Sequence, residues 1–436
     1  MKKKTKVLLL VLLLTFTCLF LFASCKTEKA DFFTYSESNL GVMGKLVRLM
    51  HGWIGNYGWT VVVFTVFLKL AMTPLDIWQR VSSRKMAIKN KQMQPVMQEI
   101  ERRYGANTQR ANEEKQKLAQ KQGMSMFSSC LPMIVSMIIF FVMFAGLRDY
   151  STYSSVVNFQ NLSGTYFDSY YNAVKQNDEQ FAYLHQEISA LMENSDGATL
   201  GENFLRENYT RDNVNAYIVG INKLVNNPHF EGFDFNAYKN AALESVSDYY
   251  QNNHESWLWL QNVWQPDTWA SIMPAYNDGT NGFSTTVDMS EFGTDQGIAH
   301  YEMIRSAVLQ TGARGQTGAW NGLMILPILS VALSFLSMFL TQKLEKKSSK
   351  DEPKPAQGST EAQQAASNKM MMFLMPAMMA IFGFMYTGAF AIYMVCNYTL
   401  SIIATVILRV PVEKIVEKSL AKSESKNNGN KASYMR

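Results

Sequence analysis

Apolar and polar residues follow one another along this chain in long blocks. Six apolar stretches approach the roughly 20 residues with which an α-helix crosses a bilayer, and they run from Val7 to Phe22, Trp59 to Met72, Phe127 to Gly146, Leu323 to Leu340, Met370 to Tyr386 and Ala389 to Leu408. A soluble domain has no need of so many such stretches. The pattern therefore predicts an all-α polytopic membrane protein that is interrupted by one large, mainly helical polar insert at 147–320.

The first apolar stretch differs from the others in its flanks. Lys2, Lys3, Lys4 and Lys6 precede it, and small residues stand before Cys25 at its end. This pattern is typical of a bacterial lipoprotein signal peptide, here residues 1–24, after which Cys25 becomes the lipidated first residue of the mature chain. A retained signal anchor is the alternative. Cleavage leaves five predicted transmembrane helices, which are 58–78, 126–146, 321–342, 370–387 and 388–408.

The charges of the loops predict how these five helices are oriented. The segment 79–125 has eleven basic and four acidic residues, whereas acidic residues outnumber basic ones by more than two to one in the insert. Because cytoplasmic loops hold the excess of lysine and arginine, the segment 79–125 is predicted to be cytoplasmic and the insert to be outside. The mildly basic linker 343–369 and tail 409–436 are then also cytoplasmic. The mature N-terminus is predicted to lie on the outer side of a bacterial cell membrane.

Two polar segments have the spacing of amphipathic helices. Within 25–57, outside the membrane, Val42, Leu46, Leu49, Met50 and Trp53 fall on one helical face, which predicts a helix lying on the outer leaflet. The cytoplasmic segment 79–125 reads as a helical hairpin with a turn near Gly105. Its basic surface suits contact with anionic lipid, a ribosome or a nascent chain. A solvated surface that only sets the topology is the alternative.

Lys69 is the candidate functional residue, because it interrupts the apolar run WTVVVFTVFLKLAM. A cation in the middle of a bilayer costs roughly 2.5 to 3.5 kcal/mol on insertion scales, so a transmembrane helix that carries one usually needs it. A hydrated, positively charged cavity within the membrane is one reading. A lysine that reaches the headgroups from near a helix end, or a buried soluble helix, is the other.

Several motifs in order resemble the YidC-type membrane protein insertases. They are NYGW followed by FTVFLKLAMTPL, SCLPM followed by IIFF, ILPIL followed by FLTQKL, KMMMFLMPAMMAIFGFMY and YMVCNYTLSI. The stretch WLWLQNVWQPDTW is similar to a motif that precedes the third span in that family, so Trp264, Pro266 and Asp267 are expected to anchor the insert at the outer membrane surface. The resemblance covers nearly all of residues 40–410 except most of the insert.

The resemblance implies a groove that carries one uncompensated cation and is open to the cytoplasm and lipid. The family's groove cation, most often arginine, falls on Lys69, and Thr65, Ser136 and Asn397 are the other groove candidates. Ser136 stands where glutamine is frequent, and Asn397 is displaced by one place from the usual polar pair. For Thr65 a hydrogen bond to its own helix is the alternative role.

The implied function is insertion and folding of newly made membrane proteins without nucleotide hydrolysis, so no enzyme activity is expected. The implied partners are nascent membrane proteins, the ribosome, the general secretion channel and anionic lipids, with no nucleic acid bound beyond ribosome contact. The chain has no GxxxxGK[ST], HExxH or GxSxG motif, and its five histidines lack ligand spacing, so neither a metal nor another cofactor is expected. A membrane-anchored lipoprotein scaffold and a solute-coupled or proton-coupled transporter remain as alternatives.

Overall fold

The structure is a computed structural model. It describes residues 30–104, 109–111, 113–114, 126–192, 200–277, 283–285, 287–289, 292, 294–310, 320–346, 386–419 and 421. The predicted signal peptide with Cys25, the predicted helix 370–387 apart from its last two residues, most of the linker 343–369 and most of the second arm of the hairpin lie outside the described residues.

The described part of the chain is built from helices, which confirms the all-α prediction. Ten of them are α1 (Val42–Ile54), α2 (Tyr57–Tyr104), α3 (Met126–Val174), α4 (Asp178–Leu191), α5 (Phe204–Glu207), α6 (Arg211–Val225), α7 (Asn236–Asn253), α8 (Thr294–Gln310), α9 (Ile325–Lys346) and α10 (Gly388–Ile407). Two short strands, β1 (Ala30–Asp31) and β2 (Val287–Asp288), pair in parallel and join the segment before α1 to the insert. Residues 409–419 are also helical and follow α10 after Leu408.

Two described segments have the length and hydropathy of a membrane-crossing helix. They are Tyr57–Lys85, the first part of α2, and Gly388–Ile407, the whole of α10. The apolar part of α9, Ile325–Thr341, is shorter than this standard. Five transmembrane helices therefore stay a prediction, while α2, α3, α9 and α10 are observed at four of the five predicted spans.

Helix α2 continues from the predicted span 58–78 through the first arm of the predicted hairpin. No glycine occurs between Gly58 and Gly105, so this stretch offers none of the residues that most often end a helix in the left-handed conformation. Pro74 and Pro95 lie inside the helix, and both side chains are exposed. The span and the hairpin arm therefore form one continuous helix.

Helix α3 likewise passes through Gly146, where the apolar stretch ends, and continues into the insert. A Cβ atom at Gly146 would lie 2.4 Å from Cβ of Met43 on α1. This glycine therefore permits close packing of α1 on α3 and does not end the helix. On α1, Leu49 and Trp53 of the predicted apolar face are exposed whereas Val47 is buried, and the position of this helix on the outer leaflet stays a prediction.

The insert has its own core, which is rich in aromatic side chains. Helices α4, α6, α7 and α8 pack around the second half of α3. Phe159, Tyr171, Tyr217 and Tyr301 are almost fully buried there. The contiguous core supports the prediction that this region folds as a mainly helical unit.

A buried polar cluster in this core contains His300, whose ring stacks between Phe167 and Phe292 at centroid distances of 5.0 and 5.2 Å. Tyr209 donates to the Ser163 hydroxyl, and Ser163 Oγ lies 2.7 Å from His300 Nε2. The Ser163 proton is then directed at Nε2, so the imidazole accepts at this atom and is neutral. Burial lowers the pKa of His300 from 6.5 to about 3.

Acid should destabilise the insert through His300. The folded state keeps the ring neutral while the unfolded chain binds a proton below pH 6.5, so stability is lost as pH falls from 6.5 towards 3. At pH 5 this loss amounts to about 2 kcal/mol relative to pH 8. We expect His300→Gln, which keeps an acceptor for Ser163, to remove most of this pH dependence in unfolding of the full chain in detergent.

Asp168 has the opposite effect on the pH dependence of stability, so wild type and His300→Gln have to be compared with each other. Burial raises its pKa from 3.8 to about 6, although the backbone N–H groups of Arg206 and Leu205 lower it. Protonation of this carboxyl below pH 6 therefore stabilises the folded state. Only the difference between wild type and His300→Gln isolates the histidine, and equal losses in both proteins between pH 8 and pH 5 would contradict its role.

Candidate functional site

A cavity of 390 Å³ lies between α2, α9, α10 and the helical segment 409–419. Its lining consists of Lys69, Asp76, Gln79, Arg80, Ser83, Arg84, Thr341, Ser401, Thr405, Leu408, Arg409, Val412 and Glu413. Lys69 follows Tyr57 by twelve residues, which places it about 18 Å along α2 from the end that meets the insert. The cavity therefore begins midway along the apolar part of α2 and extends away from the insert.

Lys69 has two polar contacts in this cavity. Its Nζ lies 2.9 Å from Asp76 Oδ2 and donates to Ser401 Oγ at 3.1 Å. The side chains of Lys69 and Asp76 are 20% and 18% exposed. The lysine is thus only partly desolvated and is not the uncompensated cation that the family resemblance implied. Asp76 is its counter-ion, seven residues further along the same helix.

The remaining charges give the cavity a positive excess. Arg80 donates from Nη2 to Thr405 Oγ1 at 3.0 Å, and Arg409 Nε lies 3.4 Å from Glu413 Oε1. The lining contains four basic side chains against two acidic ones, which leaves an excess of two positive charges. In a partly desolvated site such an excess attracts anions more strongly than it would in water.

The predicted groove residues differ in their position relative to the cavity. Lys69 lines the cavity, whereas Thr65 is buried and donates to the carbonyl oxygen of Val61 at 2.6 Å, the alternative role considered for it. Asn397 is half-buried on α10 and is not among the cavity residues. The Ser136 side chain lies outside the described residues.

Sequence reasoning missed most of the polar lining. Asp76 could have been found from its spacing, because positions seven apart on a helix share a face after two turns. Ser401 and Thr405 are also one turn apart on α10, and Thr405 donates to the carbonyl oxygen of Ser401. Their orientation towards α2 depends on how the two helices pack, which no local pattern indicates.

The opposite end of the helices is closed by residues 255–267, which we call the capping segment. The first-turn N–H groups of a helix have no partner within the helix. The capping segment accepts hydrogen bonds from the starts of three helices: Tyr57 N to Glu255 Oε2, Gly388 N to the Gln265 carbonyl, Ala389 N to the Val263 carbonyl, and Leu326 N to Asp267 Oδ2. It therefore joins α2, α9 and α10 at the end next to the insert.

Asp267 is the centre of the capping segment. Its Oδ1 accepts from Leu323 N and Met324 N at 2.8 and 3.1 Å, and its Oδ2 accepts from Leu326 N at 2.7 Å and from Trp259 Nε1 at 3.3 Å. The residue is fully buried. Its carboxylate also lies where the positive end of the α9 dipole favours an anion. A Cβ at Gly322 would lie 1.9 Å from Oδ1, so the approach requires glycine.

Trp264 fixes the capping segment on α2. Its ring stacks on that of Tyr57 at a centroid distance of 4.1 Å and an angle of 25°. Gly58 lets Trp257 approach the same turn, since a Cβ there would lie 2.2 Å from Trp257 Cγ. Trp264 and Asp267 therefore tie the insert to the ends of the helices, and the structure gives each of them specific partners.

Within the described residues, no three His, Cys, Asp or Glu side chains come together in a group that could hold a metal ion. The lysine, arginine and hydroxyl groups that line the cavity offer electrostatic attraction and hydrogen bonding.

Comparison with known proteins identifies the family. The model of the 60Kd inner membrane protein family matches residues 49–192 and 203–414. A protein of Caldanaerobacter subterraneus named membrane protein insertase YidC is 36% identical over 113 residues, which cover 26% of this chain and 53% of that protein. Relatives of the same name from Campylobacter jejuni and Bordetella pertussis are 31% and 32% identical, over 23% of this chain and 19% and 17% of theirs.

The matched region spans about half the length of the first of these relatives and under a fifth of the other two. The family model, in contrast, covers both sides of the insert and most of the insert itself. The resemblance to YidC-type insertases that the sequence motifs indicated is confirmed, and the chain belongs to the 60Kd inner membrane protein family.

Proposed function

We propose that this protein is a membrane protein insertase, and that the cavity around Lys69 receives the polar end of a newly made membrane protein. The observation that carries the proposal is the position of this cavity. It places an excess of positive charge beside the apolar part of α2, while the capping segment closes the opposite end of the same helices. Such an arrangement admits a polar segment from one side only.

The proposed orientation follows from the charges and the aromatic residues. Trp53 and Trp59 are exposed at the end of α1 and the start of α2, and Trp269 and Trp320 are exposed next to the capping segment. Tryptophan is enriched at membrane interfaces, so we place these side chains at the outer surface of a bacterial cell membrane. The mature N-terminus and the insert then lie outside, and the cavity opens towards the cytoplasm. Five transmembrane helices and the lipidation of Cys25 are part of this proposal.

Insertion in this scheme needs no nucleotide hydrolysis and makes or breaks no covalent bond. The positive cavity attracts the acidic external tail of a client, and the hydroxyl groups of Ser401 and Thr405 replace part of the water lost from that tail. The client's apolar segment then enters lipid, where burial is worth about 25 cal/mol per Å² of apolar surface. This gain in free energy drives release of the client from the cavity into lipid. The partners are nascent membrane proteins, with the ribosome, the secretion channel and anionic lipids as candidates on the basic cytoplasmic side.

The two alternative functions make different demands on the molecule. A lipoprotein scaffold would depend on the insert and not on the cavity. A transporter would need the cavity to open to both sides in turn, yet the capping segment bonds to three helices at the outer end. The extended hydrogen bonding at that end favours an insertase over a transporter.

Reconstitution tests the proposal. Purified protein in liposomes should protect a single-span client with an acidic external tail from added protease, above the level of empty liposomes. A scaffold would give no protection, and a transporter would instead take up a solute or protons. Failure to protect any client with an acidic tail would contradict the proposed function.

A further inference from the structure

The counter-ion of Lys69 belongs to the protein itself and has the chemistry of the expected client. Asp76 presents a carboxylate oxygen 2.9 Å from Lys69 Nζ, and Ser401 occupies a second direction around the same nitrogen at 3.1 Å. A client carboxylate that pairs with Lys69 must therefore take the place of Asp76 or share the lysine with it. The resting cavity already contains a bound carboxylate.

The pair is built so that it can be broken. An ion pair that is fully buried loses several kcal/mol when one partner leaves, because the other charge stays unpaired in a medium of low dielectric. Lys69 and Asp76 each retain about a fifth of their side-chain exposure, and both line an open cavity. Water in the cavity can reach both charges, so the pair opens at a lower cost than a fully buried one.

Asp76 also has a second cation within reach. Arg80 follows it by four residues on α2, the spacing at which an acidic and a basic side chain face each other on a helix. Arg80 lines the same cavity and is held there by Thr405. If Asp76 turns from Lys69 towards Arg80, no charge is left without a partner while a client carboxylate occupies the lysine.

We propose that Asp76 is a displaceable internal counter-ion of Lys69, which a client's carboxylate must replace. This inference rests on the proposed function and deepens it. Asp76 keeps the empty cavity from holding an unpaired cation, and it sets how acidic a client tail must be. A tail with several acidic residues competes with Asp76 effectively, whereas a tail with a single one competes poorly.

The test varies the client and the counter-ion together. Clients with one and with three acidic residues in the external tail are inserted into liposomes by wild type, by Asp76→Asn and by Asp76→Asn combined with Lys69→Ala. We expect Asp76→Asn to raise insertion of the singly acidic client about threefold, a modest factor because the pair is partly exposed. The client with three acidic residues should change less, and the double variant should lose the gain.

Glu413→Gln is the matched control, because it removes one negative charge from the same cavity where Glu413 pairs with Arg409 and not with Lys69. Its effect should be less than half that of Asp76→Asn. An equal effect would show that only the net charge of the cavity matters and would overturn the inference. So would unchanged or reduced insertion by an Asp76→Asn protein that unfolds at the wild-type temperature.

The inference and the proposed function fail in different ways. If wild type inserts neither client above empty liposomes, the insertase proposal itself is contradicted. If wild type inserts the client with three acidic residues but Asp76→Asn gives no gain with the singly acidic one, only the role of Asp76 is contradicted.

Discussion

Replacement of Lys69 by alanine should lower insertion of a client with an acidic tail at least about tenfold, which corresponds to a loss of about 1.4 kcal/mol. The reason is twofold. The change removes the cation that attracts the tail, and it leaves the Asp76 carboxylate, now without Lys69 at 2.9 Å, facing the incoming acidic residues. Repulsion then adds to the loss of attraction. Protease protection of the client in liposomes measures the effect.

Two further variants separate these contributions. Lys69→Arg keeps the charge and should retain most of the insertion, although the planar guanidinium donates in a different geometry from that of the ammonium group. Lys69→Ala combined with Asp76→Asn has neither charge of the pair and should insert a client with a neutral tail better than Lys69→Ala does. Insertion by Lys69→Ala at the wild-type level would mean that the cavity acts through its apolar surroundings alone.

Replacement of Asp267 by alanine should lower the free energy of unfolding by about 3 kcal/mol or more. Three backbone N–H groups before and within the first turn of α9 lose a charged acceptor, and each such hydrogen bond contributes about 1.5 to 3 kcal/mol before the structure relaxes. The indole N–H of Trp259 loses its partner as well. The measurement is the thermal unfolding of the full chain in detergent, together with the fraction that remains monodisperse.

Asp267→Asn keeps an acceptor oxygen without the charge and should lose about half as much stability. Asp212 offers a control, because it is an aspartate at the start of a helix, in the first turn of α6, but is exposed. Asp212→Ala should change stability by less than about 1 kcal/mol. Equal effects of Asp267→Ala and Asp212→Ala would contradict the central position of Asp267 in the capping segment.

The sequence predicted the helical class, the helix α1 and the mainly helical insert, because each depends on a local hydrophobic period. The ends of the long helices were harder to predict. Gly146 has the sequence appearance of a helix end, yet it lies within α3 and receives Met43 of α1. Whether a glycine ends a helix or admits a neighbour depends on tertiary packing.

In the candidate site, too, local features could be predicted from the sequence and features that depend on packing could not. Lys69 stood out because a charge in an apolar run is visible in the sequence alone. Its pairing with Asp76 and Ser401 was not predicted, since it depends on the side-chain directions of α2 and on the packing of α10 against it. Trp264 and Asp267 were identified by a family motif, but their partners, the ring of Tyr57 and the backbone N–H groups at the start of α9, lie far from them in the sequence.

Site-specific photo-crosslinking tests the central claim, that the cavity receives the client, most directly. Leu408 lines the cavity, whereas the neighbouring Ile407 is 65% exposed and is not part of its lining. A photoreactive residue at each position is presented with a ribosome-bound client whose acidic tail has not yet crossed the membrane. We expect the tail to crosslink from position 408 and far less from 407, and we expect Lys69→Ala to remove the crosslink. Equal crosslinking from both positions, or crosslinks only from the insert, would contradict the claim.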